Sequence, residues 1–166
     1  MATIGQTLKP GEAEYLTSSY PEYVQNYGTN YPVAGLAFDA SSSETCYWNL
    51  RAWEYPGDGD LTVDVDWYAD TASTGEVVFD VAVAALTPGD NQNIETKDFG
   101  PVSFSTGVHQ LVTAQMPHRT TVLVTGQDAL TGDDQMWLQL TRDIGDAGDT
   151  MAGDCIVTLV GVSYTT

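Results

Sequence analysis

The segment Leu61-Thr62-Val63-Asp64-Val65-Asp66-Trp67-Tyr68 alternates strictly between apolar and polar residues. Leu61, Val63, Val65 and Trp67 fall on one face, and Thr62, Asp64, Asp66 and Tyr68 on the other. A strand buried on one side requires this period of two; a helix would scatter the same residues around its axis. No segment shows sustained helical periodicity, so the chain is expected to be all-β.

The same reading finds further strands. Val33 to Phe38 is a short apolar run. In Thr45 to Trp53, Cys46, Trp48 and Leu50 alternate with Tyr47, Asn49 and Arg51. Glu76 to Leu86 sets Val77, Phe79, Val81, Val83 and Ala85 on one side. Its other side holds Val78, Asp80, Ala82 and Ala84, small enough for a second layer to approach. Val108 to Met116, Thr120 to Thr125, Gln135 to Arg142 and Asp154 to Tyr164 complete the set. Turn chemistry separates them: Pro56-Gly57-Asp58-Gly59-Asp60, Thr87-Pro88-Gly89-Asp90, Thr131-Gly132-Asp133-Asp134 and Gly145-Asp146-Ala147-Gly148-Asp149. About eight antiparallel strands of this kind predict a jelly-roll-like β-sandwich over residues 33–166.

Residues 1–32 differ. They carry Tyr15, Tyr20, Tyr23, Tyr27 and Tyr31, five of the nine tyrosines, together with Pro10, Pro21 and Pro32. Tyrosine supplies broad amphipathic contact area at low entropic cost, which suits an interface. The stretch reads as an extended arm whose tyrosines touch a neighbouring subunit, and which can be removed without unfolding the sandwich. The alternative is that it packs along its own domain.

Five basic residues face 23 acidic ones, a net charge of −18. Lys9, Lys97, Arg51, Arg119 and Arg142 are scattered, so neither nucleic acid nor an anionic membrane is an expected partner. The acidity keeps a concentrated protein soluble, or offers weak sites to hard cations such as calcium. The candidate calcium loops are Asp58, Asp60 and Asp64, and Asp143, Asp146, Asp149 and Asp154; neither run has the spacing of the helix–loop–helix calcium motif. No cofactor is expected. The N-terminus lacks the basic start and apolar run of a secretory signal, and no stretch approaches the length of a membrane span. Cys46 and Cys155 lie in apolar strands and read as buried free thiols, with a bridge as the lesser alternative.

Catalytic patterns are missing. His109 and His118 have no Glu or Cys at metal-ligand spacing, and no nucleophile elbow, phosphate loop or dinucleotide fingerprint is present. Asp64 and Asp66 share a face about 7 Å apart, but such pairs are common on any solvent-facing strand. Arg142, at the end of a strand, is placed to pair with a carboxylate across the loop and so pin the connection into the last strand; a pair left largely exposed would contribute little stability.

The order of several short motifs resembles a known family. These are Leu36-Ala37-Phe38-Asp39, the aromatic strand ending at Trp53, Leu61-Thr62-Val63 with Trp67, and Ser73-Thr74-Gly75-Glu76-Val77-Val78. Then follow Arg142-Asp143, Asp149-Thr150-Met151-Ala152-Gly153-Asp154 and Leu159-Val160-Gly161-Val162. Together they resemble the small β-sandwich domains of tailed-bacteriophage virion proteins. The resemblance implies a non-enzymatic structural part of a virion, made in the host cytoplasm, with no catalytic or ligand-binding residues. It implies a homo-oligomer, typically a trimer, whose partners include the major capsid protein. A lone domain without shaft or repeats favours a capsid decoration or accessory protein over a head- or tail-fibre component. A second reading is a carbohydrate-binding module using exposed aromatics. Alternation turns Trp48 and Trp67 into the core and leaves Trp53 and Trp137 freer.

Overall fold

The computed structural model describes residues 3–57, 59, 61–71, 74–110 and 114–165, with only the backbone of 109 and 110. Among these residues ten strands form: β1 (Thr3–Leu8), β2 (Glu22–Tyr27), β3 (Pro32–Phe38), β4 (Glu44–Arg51), β5 (Leu61–Ala69), β6 (Thr74–Leu86), β7 (Ser103–Gln110), β8 (His118–Val124), β9 (Gln135–Arg142) and β10 (Cys155–Thr165). A 3-10 turn occupies Pro10–Glu12. One sheet runs β2-β3-β10-β5-β8, with β1 also paired to β10; the other runs β4-β9-β6-β7. Every pairing is antiparallel. From β3 to β10 the chain crosses between the sheets so that β3-β10-β5-β8 faces β4-β9-β6-β7, the double Greek key of a jelly roll.

The core follows the alternation. Leu61, Val63, Val65, Trp67 and Ala69 of β5 face Val77, Phe79, Val81 and Val83 of β6, all buried. Trp67 packs edge-on against Phe79, and its indole N–H donates to Thr120 Oγ1 at 3.0 Å. Trp48 donates to Lys9 O at 3.0 Å. Each buried indole thus keeps a partner for its one polar atom. Along β10 the alternation slips once: Cys155 and Val157 point inward, a bulge lies between Val157 and Leu159, and Val160, Val162 and Tyr164 then point inward. The extra residue reverses the parity, so one unbroken alternation over this strand cannot hold.

The N-terminal stretch is extended, as expected, but it is not free. β1 pairs with β10 from Thr3↔Thr165 to Leu8↔Val160. The chain then crosses to the other sheet, where Glu14 and Tyr47 exchange backbone hydrogen bonds of 2.8 and 3.0 Å and Thr45 N–H donates to Ser19 O. It returns as β2, paired with β3 along its length. A boundary at residue 32 therefore does not divide an arm from a body, and removing the stretch would remove two strands of a sheet. The physical reason is that an extended backbone beside open sheet edges finds its hydrogen bonds there. β7 also differs from the expected Val108 to Met116: it begins at Ser103, and residues 111–113 lie outside the described ones.

The loop before β10 is held by Arg142. Its side chain is fully buried, and all five of its N–H groups are used. Nε and Nη2 grip Asp149 at 3.0 and 2.9 Å; Nη1 donates to Phe38 O and Gly153 O, and Nη2 also to Met151 O. Asp149 additionally accepts Val78 N–H. The partner across the loop is as expected, but the pair is buried rather than exposed. Gly75, at φ +133°, lets the loop sit close: a Cβ there would come within 2.5 Å of Met151 Cα. Replacing Asp149 by Ala leaves a buried guanidinium without its counter-charge and is expected to cost about 3–5 kcal/mol. Urea denaturation of the two proteins measures it.

Candidate functional site

The five N-terminal tyrosines are spread over the stretch before β2, β2 itself and the turn to β3. Tyr15 and Tyr20 stack with ring centroids 5.3 Å apart, on the stretch that borders β4. Tyr23 and Tyr27 lie on β2, and Tyr31 in the turn to β3. All five rings remain exposed, Tyr27 at 86% and Tyr31 at 70%. Partial burial raises the Tyr15 phenol above its ordinary value.

Tyr27 and Tyr31 form one wall of a cleft of about 770 Å³, larger than a second cleft on the other sheet. The opposite wall comes from β5 and the approach to β8: Asp66, Tyr68, Asp70, Gln115, Pro117 and His118. Asn26 and Thr158 contribute polar groups between them. The floor is held rigidly. Asn26 Nδ2 donates to Tyr68 Oη at 2.9 Å, and Thr158 Oγ1 to Asp66 O. Arg119, paired with Asp66 across the β5–β8 ladder, clasps its carboxylate through Nε and Nη2 at 2.6 and 2.8 Å. That hydrogen bond, with the charge of Asp66, raises the Arg119 pKa. The chemistry is two exposed aromatic faces beside carboxylate, amide and hydroxyl groups.

The smaller cleft, about 340 Å³, lies on the other sheet. Tyr15, Leu16, Tyr47, Ile94, Phe99 and Trp137 give it apolar walls. Its one cation, Lys97, pairs with Asp128 at 2.8 Å. Trp53 stands apart, 52% exposed, with the Arg51 guanidinium 4.9 Å above its ring. Trp48 and Trp67 are buried, as their parity predicts.

Asp64 and Asp66 are committed to β8: Thr121 Oγ1 donates to Asp64 at 2.5 Å, and Asp66 holds Arg119. Asp143 and Asp146 each accept a backbone N–H two residues on, Gly145 and Gly148, which is turn chemistry. Asp154 accepts from Ala40 N–H. Among the described residues no three His, Cys, Asp or Glu side chains gather to hold a metal ion. Asp58, Asp60 and the His109 side chain lie outside the described residues. His118 packs against Trp67 at 4.8 Å. Cys46 and Cys155 are free thiols, and burial raises the pKa of both. No helix among the described residues is long and apolar enough to cross a membrane.

The sequence reading missed the cleft because four separate stretches of the chain assemble it. Tyr68 was the available signal, an aromatic on the polar face of β5 beside Asp64 and Asp66.

No family model and no curated protein matches the chain. Solved structures are similar at low identity. One is a carbohydrate-binding module specific for non-crystalline cellulose, at TM-score 0.48 and 10% identity, covering 91% of this chain and 84% of that one. A mannan-recognising carbohydrate-binding module matches at TM-score 0.47 and 8% identity over 100% of both chains. An infectious bursal disease virus structure matches at TM-score 0.40 and 12% identity, covering 99% of this chain and 32% of that one.

Asp80, on β6, is pushed up to about 6 by burial, with the charges of Asp143 and Asp146 adding to it. The folded state therefore favours the neutral acid. This contribution is fully present below about pH 4 and is lost as pH rises through about 6. The full shift is worth about 3 kcal/mol, and solvent screening at this half-exposed group reduces it to about 1 kcal/mol. Asp80→Asn should exceed the parent in stability by that amount at pH 7 and match it below about pH 4. Thermal melts across this range check the crossover.

Proposed function

We propose that this chain is a non-enzymatic structural protein of a tailed-phage virion, most simply a capsid decoration or accessory protein. It acts through contacts with copies of itself and with other virion proteins such as the major capsid protein. The observation that carries this reading is the display of five tyrosine rings by a segment whose backbone is fastened into the domain. Exposed tyrosines with few charges have the composition of an interface core. The run Tyr23–Phe38 contains no charged residue although the chain carries −18 overall. The resemblance of the motif order to virion β-sandwich domains points the same way, and the acidity argues against nucleic acid as a partner.

Two measurements test this. The protein should be found in purified particles by mass spectrometry and immunogold labelling. A variant with Tyr20, Tyr27 and Tyr31 changed to Ser should fold, by circular dichroism, but be lost from the particles. Particles lacking the native protein would overturn the reading.

A second reading rests on the larger cleft, whose aromatic faces and hydrogen-bonding groups match the surface of a neutral saccharide. Sugar rings stack on exposed aromatics while amide and carboxylate groups bind hydroxyls. On a glycan array, with and without calcium, the chain should bind, and Tyr31→Ala should lose the signal. A blank array for the parent protein rejects this reading.

A further inference from the structure

The sandwich presents several sheet edges, and most are covered. β7 and β8 close on each other: Ser103 Oγ accepts Thr125 N–H at 3.0 Å, and a Cβ on Gly107 would run into Thr120 and Trp67. β4 is covered by the stretch from Glu14 to Ser19. β1 also pairs on one side only, and the Gln6 side chain ties it toward β4 by donating Nε2 to Arg51 O at 2.6 Å. β2 has no such tie. Its ladder runs to β3 alone, and among the described residues no other backbone group bonds to it. Natural proteins blunt such an edge with lysine, proline or a bulge. Glu22–Tyr27 contains none of these, and its single charge is at the first position.

The edge reads nearly the same in both directions: Tyr23-Val24-Gln25-Asn26-Tyr27. We infer that β2 pairs antiparallel with β2 of a second copy of this chain, about a two-fold axis perpendicular to the sheet. This deepens the subunit-contact reading and rests on it. Such an axis keeps each side chain on its own face, so the register must centre on a residue. Centred on Gln25, it sets Tyr23 opposite Tyr27, Val24 opposite Asn26 and Gln25 opposite its own copy. Aromatic cross-strand pairs of this kind stabilise antiparallel ladders.

Charge selects the same register. Glu22 falls opposite Gly28, and the two Glu22 carboxylates stand six residues apart, about 20 Å. That exceeds the Debye length of about 8 Å at physiological ionic strength. Two chains of −18 can approach only where charge is sparse, and this edge opens the charge-free run. The contact is isologous and closes with two copies, joining two six-stranded sheets edge to edge.

Sedimentation velocity on the full chain at micromolar concentration tests this, alongside Gln25→Glu, Gln25→Cys and Asp90→Cys. The parent should sediment as a dimer. Gln25→Glu sets like charges face to face and should weaken the dimer about fivefold at low salt, with recovery as salt rises. On oxidation Gln25→Cys should give a disulfide-linked dimer and Asp90→Cys should not, since Cys46 and Cys155 are buried. A monomeric parent, together with no disulfide-linked dimer from Gln25→Cys, overturns the inference, and particle association then judges the broader reading on its own. An oligomer that ignores Gln25→Glu and stays unlinked in Gln25→Cys also overturns it, while leaving subunit contact to another surface.

Discussion

The side chain of Arg142 joins parts of the fold that no ladder connects. It starts at the end of β9, reaches through the sandwich to Phe38 O at the end of β3, and takes in Asp149, Met151 and Gly153 on the loop before β10. A guanidinium taken out of water is costly unless every donor is used. Here five N–H groups meet five acceptors, so one geometry of the loop satisfies the ion and alternatives leave it short. The loop in turn delivers β10 to the centre of its sheet, between β3 and β5, with β1 beyond. The six-stranded sheet therefore depends on a polar contact beside a core that is largely apolar.

Once β10 is placed, the remaining problem is edges. A sandwich of two sheets leaves backbone groups open on its flanks, and this chain uses its N-terminal stretch to cover several of them. β1 fills beside β10, the Glu14–Ser19 stretch borders β4, and β2 extends the sheet beyond β3. Trp48 fastens the crossing point by its bond to Lys9 O. The same stretch that looked separable by composition is a strap around the domain, and its tyrosines are displayed because its backbone is fixed.

What the sequence revealed follows from what alternation can encode. β5, β8 and β9 each have one buried face, and the residues chosen by parity are the ones that bury: Trp67, Val122, Leu138. β10 broke the rule at a bulge, which a period-two pattern does not announce. β1 and β2 were missed because an edge strand buries little: β2 is exposed at nearly every position, so no apolar face marks it. The link from Arg142 to a carboxylate was legible from spacing, but its burial was not, since that depends on Phe38 and Gly153 arriving from elsewhere. The larger cleft was not legible either. Asn26 on β2, Asp66 and Tyr68 on β5, and Thr158 on β10 come from three separate parts of the chain, and only strand pairing brings them together.

The pairing of β1 with β10 has a consequence for how the domain comes into being. Thr3 finds its partner only at Thr165, and Leu8 only at Val160. During translation β1 leaves the ribosome early and must wait for nearly the whole domain to follow. Until then its backbone groups and those of the β10-facing side of β5 have no mates. Long-range closure of this kind is slow and leaves strand edges open to wrong partners. Abundant carboxylates would keep such waiting chains apart, so the acidity of the surface would also guard the chain while it folds.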